Sequence, residues 1–376
     1  MKAGWVTKKL GDVATLQRGF DLPTQDRVSG GVPLVSSSGI IDTHHKSAVR
    51  GPGVVTGRSG SIGNIFFIEE DFWPLNTTLY VKDFHENDPR FVFHLLKRFD
   101  LNRFATGSGV PTLNRNFVHD ELVNVPIFSE QQRIVGILDQ AFDGIATAKA
   151  NAEKNLQNAR ALFESHLQAV FTQRGERWVE RRLEELVDAK CSLSYGIVQP
   201  GGEFPNGLPI VRPTDLTSKV IQLNGLKRID PVLAGGYRRT GLTGGELLLC
   251  VRGSTGVVSI ASEELADAIV TRGIVPIRFD ESDVIQRFGY YVLASGPIQK
   301  QIRQKTYGTA LMQINIRDLR KIVLPRPPLP EQERIAAKLD LLSAETQHLE
   351  SIYRQKLAAL DALKKSLLDR AFTGLL

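Results

Sequence analysis

The sequence predicts an α+β fold in which two mixed α/β domains alternate with two long helices. Three observations support this prediction. A segment of about 70 residues recurs without a gap. Apolar residues within it repeat every 3.6 positions, as on one face of a helix. Short strand-like runs, separated by glycine and proline, fill the rest of the chain. The long helices are expected to pair as an antiparallel coiled coil, which gives the chain a pseudo-two-fold internal repeat.

The two halves of the chain correspond at a constant offset over the helical segments and at changing offsets before them. Glu130–Ile134 recurs at Glu331–Ile335, an offset of 201. Upstream, Trp5 corresponds to Trp178 at offset 173. The glycine-rich runs 60–63 and 253–256 correspond at offset 193, and much of the extra length in the second half is assigned to 201–245. The predicted domains are a first globular domain at 1–128, a spacer helix at 129–175, a second globular domain at 176–328 and a spacer helix at 329–376.

Local signals mark the ends of the long helices. Ser129 with Gln132 has the spacing of a capping box. Pro330 suits the first turn of the second helix, and Gly175 suits the end of the first. A helix of about 44 residues is about 66 Å long. An antiparallel pair of such helices would place the two globular domains at its opposite ends.

Each globular domain is predicted to mix strands and short helices. Helices are predicted at 90–99 and 285–293. Strands are predicted at 32–35, 64–68, 78–81, 246–251, 257–260 and 274–278.

The charge distribution favours a nucleic-acid partner over an acidic one. The net charge is +6, and segment 176–329 holds 21 basic and 16 acidic residues. Segment 1–128 is nearly balanced, with 14 basic and 13 acidic residues. No apolar window is long enough to span a membrane and the first residues do not form a secretory signal. Cys191 and Cys250 indicate neither a disulfide framework nor a zinc site, so a cytoplasmic location is expected.

Catalytic signatures are missing from the sequence. No GxxxxGK[ST] loop or HExxH motif occurs. The glycine-rich run 57–63 lacks dinucleotide-binding spacing and is interpreted as a turn within a β region. Arg326–Leu329 lacks the polar and aromatic residues of an amino-methyltransferase element, and His44–His45 is assigned to the surface. We therefore expect no catalytic residue, no metal site and no cofactor in this chain.

The repeated segments resemble the conserved regions of type I restriction-modification specificity (S) subunits. The resemblance lies in 128–134 and 328–335, in the lead-ins 107–114 and 308–315, and in the opening 5–13. It covers nearly the whole chain, twice and in the same order. The second lead-in departs from the first, with Met312–Gln313 in place of Pro111–Thr112, which affects the expected loop shape.

The resemblance implies a DNA-recognition role within a larger complex. Each globular domain would be a target-recognition domain reading one half of an asymmetric bipartite site in double-stranded DNA, and the helices would set the spacer. Two methylation (M) subunits carrying S-adenosylmethionine would modify adenine. Restriction (R) subunits would use ATP and Mg²⁺. This chain would supply specificity for host defence without catalysis.

Candidate DNA-binding residues lie in the glycine-rich turns, after the repeated Asn114 and Asn315, and in the extra segment. Arginine reads guanine, amides read adenine, and hydroxyl and basic groups hold phosphates. The candidates are Arg58, Ser59, Ser61, Arg115, Asn116, Tyr237, Arg238, Arg239, Arg252, Ser254, Thr255 and Arg317.

Candidate partner-binding residues lie in the repeated helix starts. Acidic residues in a first helical turn also favour the helix dipole, so a purely capping role is the alternative. The candidates are Glu130, Gln131, Arg133, Glu331, Gln332 and Arg334. Two rival functions stay open from the residues alone: a chain with its own methyltransferase or nuclease, and a coiled-coil scaffold that does not bind DNA.

Overall fold

The computed structural model describes residues 4–107, 111–309 and 311–376. Lead-in residues Ser108, Gly109, Val110 and Ala310 therefore lie outside the described residues. The chain forms two compact units: unit 1 comprises Met1–Lys154 and Tyr353–Leu376, and unit 2 comprises Asn155–Ile352. The two long helices, Phe128–Thr172 and Leu329–Phe372, each contribute to both units. The domain boundaries given by the sequence stay predictions.

Unit 1 contains eleven strands among its described residues, together with two short helices and part of each long helix. Its elements are β1 Trp5–Lys9, β2 Thr15–Arg18, β3 Val32–Ser36, β4 Gly39–His44, β5 Gly53–Gly57, β6 Ile65–Ile68, β7 Trp73–Pro74, β8 Thr78–Asp83, α1 Pro89–Arg98, β9 Ala105–Thr106, β10 Thr112–Leu113, α2 Arg115–His119, β11 Leu122–Pro126 and the first part of α3 Phe128–Thr172.

Unit 2 has nine strands in its described part, with four short helices. Its elements are β12 Val179–Arg182, α4 Leu183–Leu186, β13 Leu208–Val211, β14 Val220–Ile221, β15 Lys227–Ile229, β16 Leu247–Cys250, β17 Val258–Ala261, β18 Ile269–Val270, β19 Ile274–Ile277, α5 Gln286–Ala294, α6 Gly296–Lys305, α7 Ile316–Arg320, β20 Val323–Arg326 and the first part of α8 Leu329–Phe372.

The two units share sheet topology. In unit 1, β5 lies between β6 and β8, and both pairings are antiparallel. In unit 2, β16 lies between β17 and β19 in the same way. A smaller sheet in each unit has a central strand, β3 or β13, with one antiparallel and one parallel neighbour. The predicted repeat of two mixed α/β domains is confirmed.

The units differ at one edge of the larger sheet. In unit 1, β2 adds to β8 as an antiparallel edge strand. In unit 2, β14 adds instead to β17, on the other side, and the pairing is parallel. Strand β14 belongs to the glycine- and proline-rich segment to which the sequence assigned the extra length. The insertion therefore adds structure at the sheet edge.

The long helices run antiparallel within each unit. In unit 1 the Lys149 ammonium lies 2.7 Å from the Asp361 carboxylate, and Arg133 donates to the Leu376 carbonyl at 3.0 Å. In unit 2 Arg160 donates to Glu350 at 3.2 Å. Residue numbers fall along α8 as they rise along α3, which confirms the predicted antiparallel pair. No helix in the described part is long and apolar enough to cross a membrane.

The apolar faces of the long helices complete the core of each unit. In unit 1 the Phe91 ring of α1 lies 5.2 Å from the Phe372 ring of α8, and both side chains are buried. In unit 2 Phe171 of α3 lies 5.7 Å from Phe288 of α5. Burying each of these rings contributes about 1.5–3 kcal/mol, so each domain is anchored on the helices by its main core.

The predicted capping box at Ser129 is wrong. Helix α3 begins at Phe128, one residue before the predicted start at 129. The backbone N–H groups of Glu130 and Gln131 donate to the Ile127 carbonyl at 3.0 and 3.1 Å. Ser129 therefore lies inside the first turn, where its hydroxyl cannot occupy the cap position. Pro330 lies in the first turn of α8, as predicted.

Candidate nucleic-acid interface

The glycine-rich run of unit 1 forms the turn between β5 and β6. A Cβ atom on Gly57 would lie 2.1 Å from the Ser61 carbonyl oxygen, so the turn closes only around glycine. Gly60 has a φ of +82°, a left-handed conformation that favours glycine. The interpretation of this run as a turn within a β region agrees with the structure. Arg58 and Ser59 are half-buried in it, and Ser61 is exposed.

A cleft of about 390 Å³ in unit 1 brings several predicted residues together. Arg58 lines it from the turn, and Arg115 and Asn116 line it from α2. Arg18 of β2 also lines this cleft, although the sequence analysis did not select it. Arg18 pairs with Asp21 at 3.3 Å, so Arg58 and Arg115 give the open cleft its positive potential, which suits a phosphate or a guanine edge.

The start of α2 explains why asparagine recurs in the lead-ins. The Asn114 side chain caps α2 by accepting from Asn116 N at 3.0 Å. Asn315 caps α7 in the same role, accepting from Asp318 N at 2.9 Å. Both asparagines are therefore structural. Arg115 and Arg317, just after them, are exposed at the surface.

A neutral histidine ties α2 to strand β2. His119 Nε2 accepts the hydrogen bond of Leu16 N at 2.8 Å, so this nitrogen carries no proton. Burial lowers the pKa of His119, and the nearby Arg115 charge lowers it further. The lowered pKa keeps Nε2 available as an acceptor and so holds Arg115 beside the cleft.

In unit 2 the corresponding turn packs against the second lead-in. Gly253 N and the Thr255 hydroxyl both donate to the Met312 carbonyl, at 2.8 and 3.1 Å. The Thr255 hydroxyl proton is therefore already used in a hydrogen bond within the protein, whereas Ser254 is exposed. Arg252 is half-buried and forms a β-bridge with Gln313.

Aromatic and basic residues that the sequence analysis missed lie near Arg252. Tyr195 and Tyr307 are 40% and 49% exposed. Burial raises the pKa of Tyr195, while the charges of Arg272 and Arg252 act in the opposite direction. The Tyr195 hydroxyl donates to the Ile314 carbonyl at 3.3 Å. The unit 2 site therefore combines two arginines with two partly exposed rings.

The predicted residues of the extra segment belong to a different part of unit 2. They lie in a 3₁₀ helix over Pro231–Thr240. Tyr237 packs against a small isoleucine cluster, while Arg238 and Arg239 are exposed. Among the described residues, no hydrogen bond or ion pair joins this helix to the Arg252 turn. Any contact of Arg238 and Arg239 with DNA would therefore be separate.

Two of the predicted partner-binding residues are internal. Gln131 and Gln332 are only 2% and 0% exposed. The Gln131 amide donates to Asn87 Oδ1 and the Pro126 carbonyl, at 2.8 and 3.0 Å, and accepts from Asp88 N at 2.9 Å. Because these bonds occupy the amide, the prediction that Gln131 binds a partner is corrected.

Gln332 makes the same arrangement in unit 2. It donates to the carbonyls of Pro327 and Asp283, at 2.8 and 2.9 Å, and accepts from Ile285 N at 2.9 Å. The partner-binding prediction for Gln332 is corrected for the same reason. Each glutamine joins the start of a long helix to the start of a short one, α1 or α5.

The charged residues of the helix starts differ in how they are engaged. Glu130 and Arg133 form an ion pair on one turn, at 2.6 Å. Glu331 accepts from Trp178 Nε1 at 3.0 Å. Arg334 is exposed and lines a cavity of about 230 Å³. These four charged residues stay predicted partner contacts.

The described residues contain no group of three or more His, Cys, Asp or Glu side chains placed to hold a metal ion. Both free cysteines are covered: Cys250 is buried and Cys191 is half-buried. Burial raises the pKa of both thiols, which makes them poor nucleophiles.

The structure defines a class of protein with an internal repeat, in which two mixed α/β domains with basic turns accompany two long helices. The chain belongs to the type I restriction modification DNA specificity domain family, whose model matches residues 2–157 and 175–358. It therefore carries two DNA specificity domains. Specificity subunits recognise DNA within type I restriction-modification complexes and are not catalytic.

One curated relative and two solved structures resemble the chain over nearly its whole length. It is 22% identical to the EcoBI specificity subunit of Escherichia coli, over 98% of this chain and 86% of that protein. A chain from a type I R-M system has a TM-score of 0.77 at 21% identity, covering 100% of this chain and 99% of that one. The HsdS subunit from Thermoanaerobacter tengcongensis has a TM-score of 0.61 at 21% identity, covering 100% and 98%. The structural likeness establishes the fold.

Proposed function

We propose that each unit reads one half of an asymmetric, bipartite site in double-stranded DNA. The carrying observation is that one backbone framework presents different side chains in the two units. Unit 1 surrounds a cleft with Arg18, Arg58 and Arg115, whereas unit 2 combines Arg252 and Arg272 with tyrosines. Different side chains on one framework favour different bases.

The long helices are proposed to set the spacing between the half-sites. Each contributes residues to both units, and the 44 residues of α8 correspond to about 66 Å. Half-sites read from one side of B-DNA lie about 34 Å apart, or a multiple of it. A stiff helix pair would therefore accept only one spacer length between the two half-sites. The proposed domain boundaries are those predicted from the sequence.

We assign DNA methylation and restriction to partner subunits. Two methylation subunits would dock on the helices and bring S-adenosylmethionine, and restriction subunits would bring ATP and Mg²⁺. This chain would contribute no cofactor, and its proposed location is the cytoplasm. Glu130, Arg133, Glu331 and Arg334 are the proposed contact residues at the helix starts.

Methylome sequencing tests the proposal directly. The chain is expressed with its companion methylation subunits in a host that lacks adenine methylation. One split motif, with two unlike halves and a fixed gap, is expected. A continuous motif, a palindromic motif or a variable gap would contradict the proposal.

Two measurements address the rival functions. A non-DNA scaffold would show no steep loss of DNA affinity with salt, whereas phosphate contacts give a strong negative salt slope. A chain with its own methyltransferase would bind S-adenosylmethionine without partner subunits. Calorimetry of the purified chain with S-adenosylmethionine is expected to show no binding.

A further inference from the structure

Three backbone segments lie side by side at the unit 1 interface. Ser59 pairs with Thr112, and Thr112 pairs with Thr106, both in antiparallel register. Directly opposed residues in antiparallel strands present their side chains to the same face. These three residues therefore form a row on one face, called here the unit 1 row.

Unit 2 repeats this arrangement with other residues. Arg252 pairs with Gln313, and Gln313 pairs with Tyr307, again antiparallel. Tyr307 N donates to the Gln313 carbonyl and Gln313 N to the Tyr307 carbonyl, both at 2.9 Å. These three residues form the unit 2 row.

The two rows occupy equivalent places in the repeat. Next to the unit 1 row, Leu113 N donates to the Arg58 carbonyl at 2.7 Å. Next to the unit 2 row, Ile314 N donates to the Val251 carbonyl at 3.0 Å. The same backbone hydrogen bond thus recurs in both units: the donors are related by the lead-in offset of 201 and the acceptors by the glycine-turn offset of 193. The backbone frame is conserved between the units while all three side chains of the row change.

The change in chemistry is large. The unit 1 row carries only short hydroxyl side chains, whereas the unit 2 row carries a guanidinium, an amide and a phenol ring. None of the six residues is buried. Among the described residues, the side chains of Arg252 and Gln313 have no hydrogen-bond partner, so both can bind an external group. Arginine pairs with the guanine edge and glutamine with the adenine edge in the major groove.

We infer that the two rows determine which bases each unit reads, and this inference rests on the proposed function. In the unit 2 row, Gln313 reads an adenine and Arg252 reads a guanine, with Tyr307 packing beside them. The unit 1 row reads its half-site through shorter groups, so its contacts depend more on the arginines of the cleft.

The test uses the complete complex with its methylation subunits. The wild-type split motif supplies the cognate duplex, and each base pair is replaced in turn. Affinities are measured by fluorescence anisotropy for wild type, Gln313→Thr and Arg252→Ser. Each variant is expected to lose discrimination at one base pair of one half-site, by roughly 5- to 150-fold, and to keep it elsewhere.

The matched control is the reciprocal change Thr112→Gln. It is expected to alter discrimination only in the other half-site. Thermal unfolding of each complex checks that the variants fold, and methylome sequencing gives a second readout of the altered base. Full discrimination at every position in both unit 2 variants would overturn the inference. Uniform weakening across all sequences would also overturn it, because that result indicates phosphate contacts. In both cases a wild-type split motif leaves the proposed function standing.

Discussion

Asp340 of α8 accepts a hydrogen bond from the Tyr291 hydroxyl of α5. Its carboxylate also contacts Lys219 at 2.7 Å and Arg287 at 2.6 Å. One carboxylate on a long helix therefore holds three groups of the globular part of unit 2. Asp139 lies 201 residues earlier on α3 and is its counterpart, and the sequence Leu138–Asp139 recurs as Leu339–Asp340 at the offset of the helical repeat.

Removing the Asp340 carboxylate is expected to destabilise unit 2. Asp340→Ala leaves Lys219, Arg287 and Tyr291 without their shared acceptor, which costs about 1–3 kcal/mol. Chemical denaturation measures the loss. Asp361→Ala, which removes the ion pair with Lys149 in unit 1, serves as control and should cost much less than the Asp340 change. Equal losses of unfolding free energy in the two variants would contradict a stabilising role for Asp340.

The counterpart contact in unit 1 predicts acid sensitivity. His94 Nε2 lies 2.7 Å from Asp139 Oδ1, and His94 Nδ1 is buried with no hydrogen-bond partner in the described part of the chain. Burial lowers the pKa of His94, and Asp139 only partly opposes this. The unfolded chain then binds more protons than the folded one below about pH 6.5. Stability is complete above that pH and falls as the pH drops through the lowered pKa.

The pH profile of unfolding checks this prediction. His94→Gln keeps a donor for Asp139 and cannot titrate. Its free energy of unfolding should decline less than that of wild type between pH 7 and pH 5. Parallel profiles for the two proteins would show that His94 does not cause the acid loss.

Lys97 is predicted to lower stability at neutral pH. Its ammonium lies 3.9 Å from the Phe93 ring centre, and burial, together with the Lys364 charge, lowers its pKa to about 8. The unfolded chain therefore binds more protons between about pH 8 and 10.5, so stability rises with pH through that window. Lys97→Met should stabilise the protein at pH 7 by about 1 kcal/mol, a value reduced for partial solvent exposure.

Denaturation at pH 7 and at pH 10.5 separates this effect from simple packing. The gain from Lys97→Met should shrink at the higher pH, where the wild-type lysine is neutral. Lys82→Met, at an exposed position, is the control and should change stability little at either pH. A gain of the same size at both values would point to packing instead of charge.

Gln332 is predicted to matter for folding and not for partner contact. Gln332→Ala leaves Ile285 N and two carbonyls without a partner, at a cost of about 1–3 kcal/mol. Differential scanning calorimetry of the isolated chain measures this loss. Arg334→Ala provides the contrast, since an exposed arginine can weaken subunit assembly without lowering stability. A normal melting temperature for Gln332→Ala would contradict the internal role.

Much of the fold could be predicted because it follows from periodicity and local turn chemistry. The two predicted short helices and the six predicted strands agree with the structure to within about two residues, since their apolar patterns are strong. The long helices end at Thr172 and Phe372, before the predicted residues 175 and 376. The start of α3 was not predicted correctly. There the Gln131 side chain donates to the Pro126 carbonyl and accepts from Asp88 N, which lies more than 40 residues earlier in the chain. Sequence spacing alone does not reveal such contacts.

The candidate site was only partly predictable, because distant segments build it. Arg18 enters the unit 1 cleft from β2, and Tyr195 reaches the unit 2 site across more than 100 residues of chain. A usable signal was nevertheless present. Applying the offsets 193 and 201 together aligns Ser59 with Arg252 and Thr112 with Gln313, and each pair exchanges a short hydroxyl side chain for a longer polar one.

The placement of β14 at the free edge of its sheet has a consequence for building hybrid proteins. Residues added at this edge lie outside the β17–β16–β19 pairing, but Lys219, just before β14, contacts Asp340 of α8, and Ile221 and Leu242 pack against β16. Segments exchanged at this edge must therefore keep these three residues. Chimaeras that keep them should fold as readily as the parents, which makes the exposed part of this edge a place to graft a new binding surface.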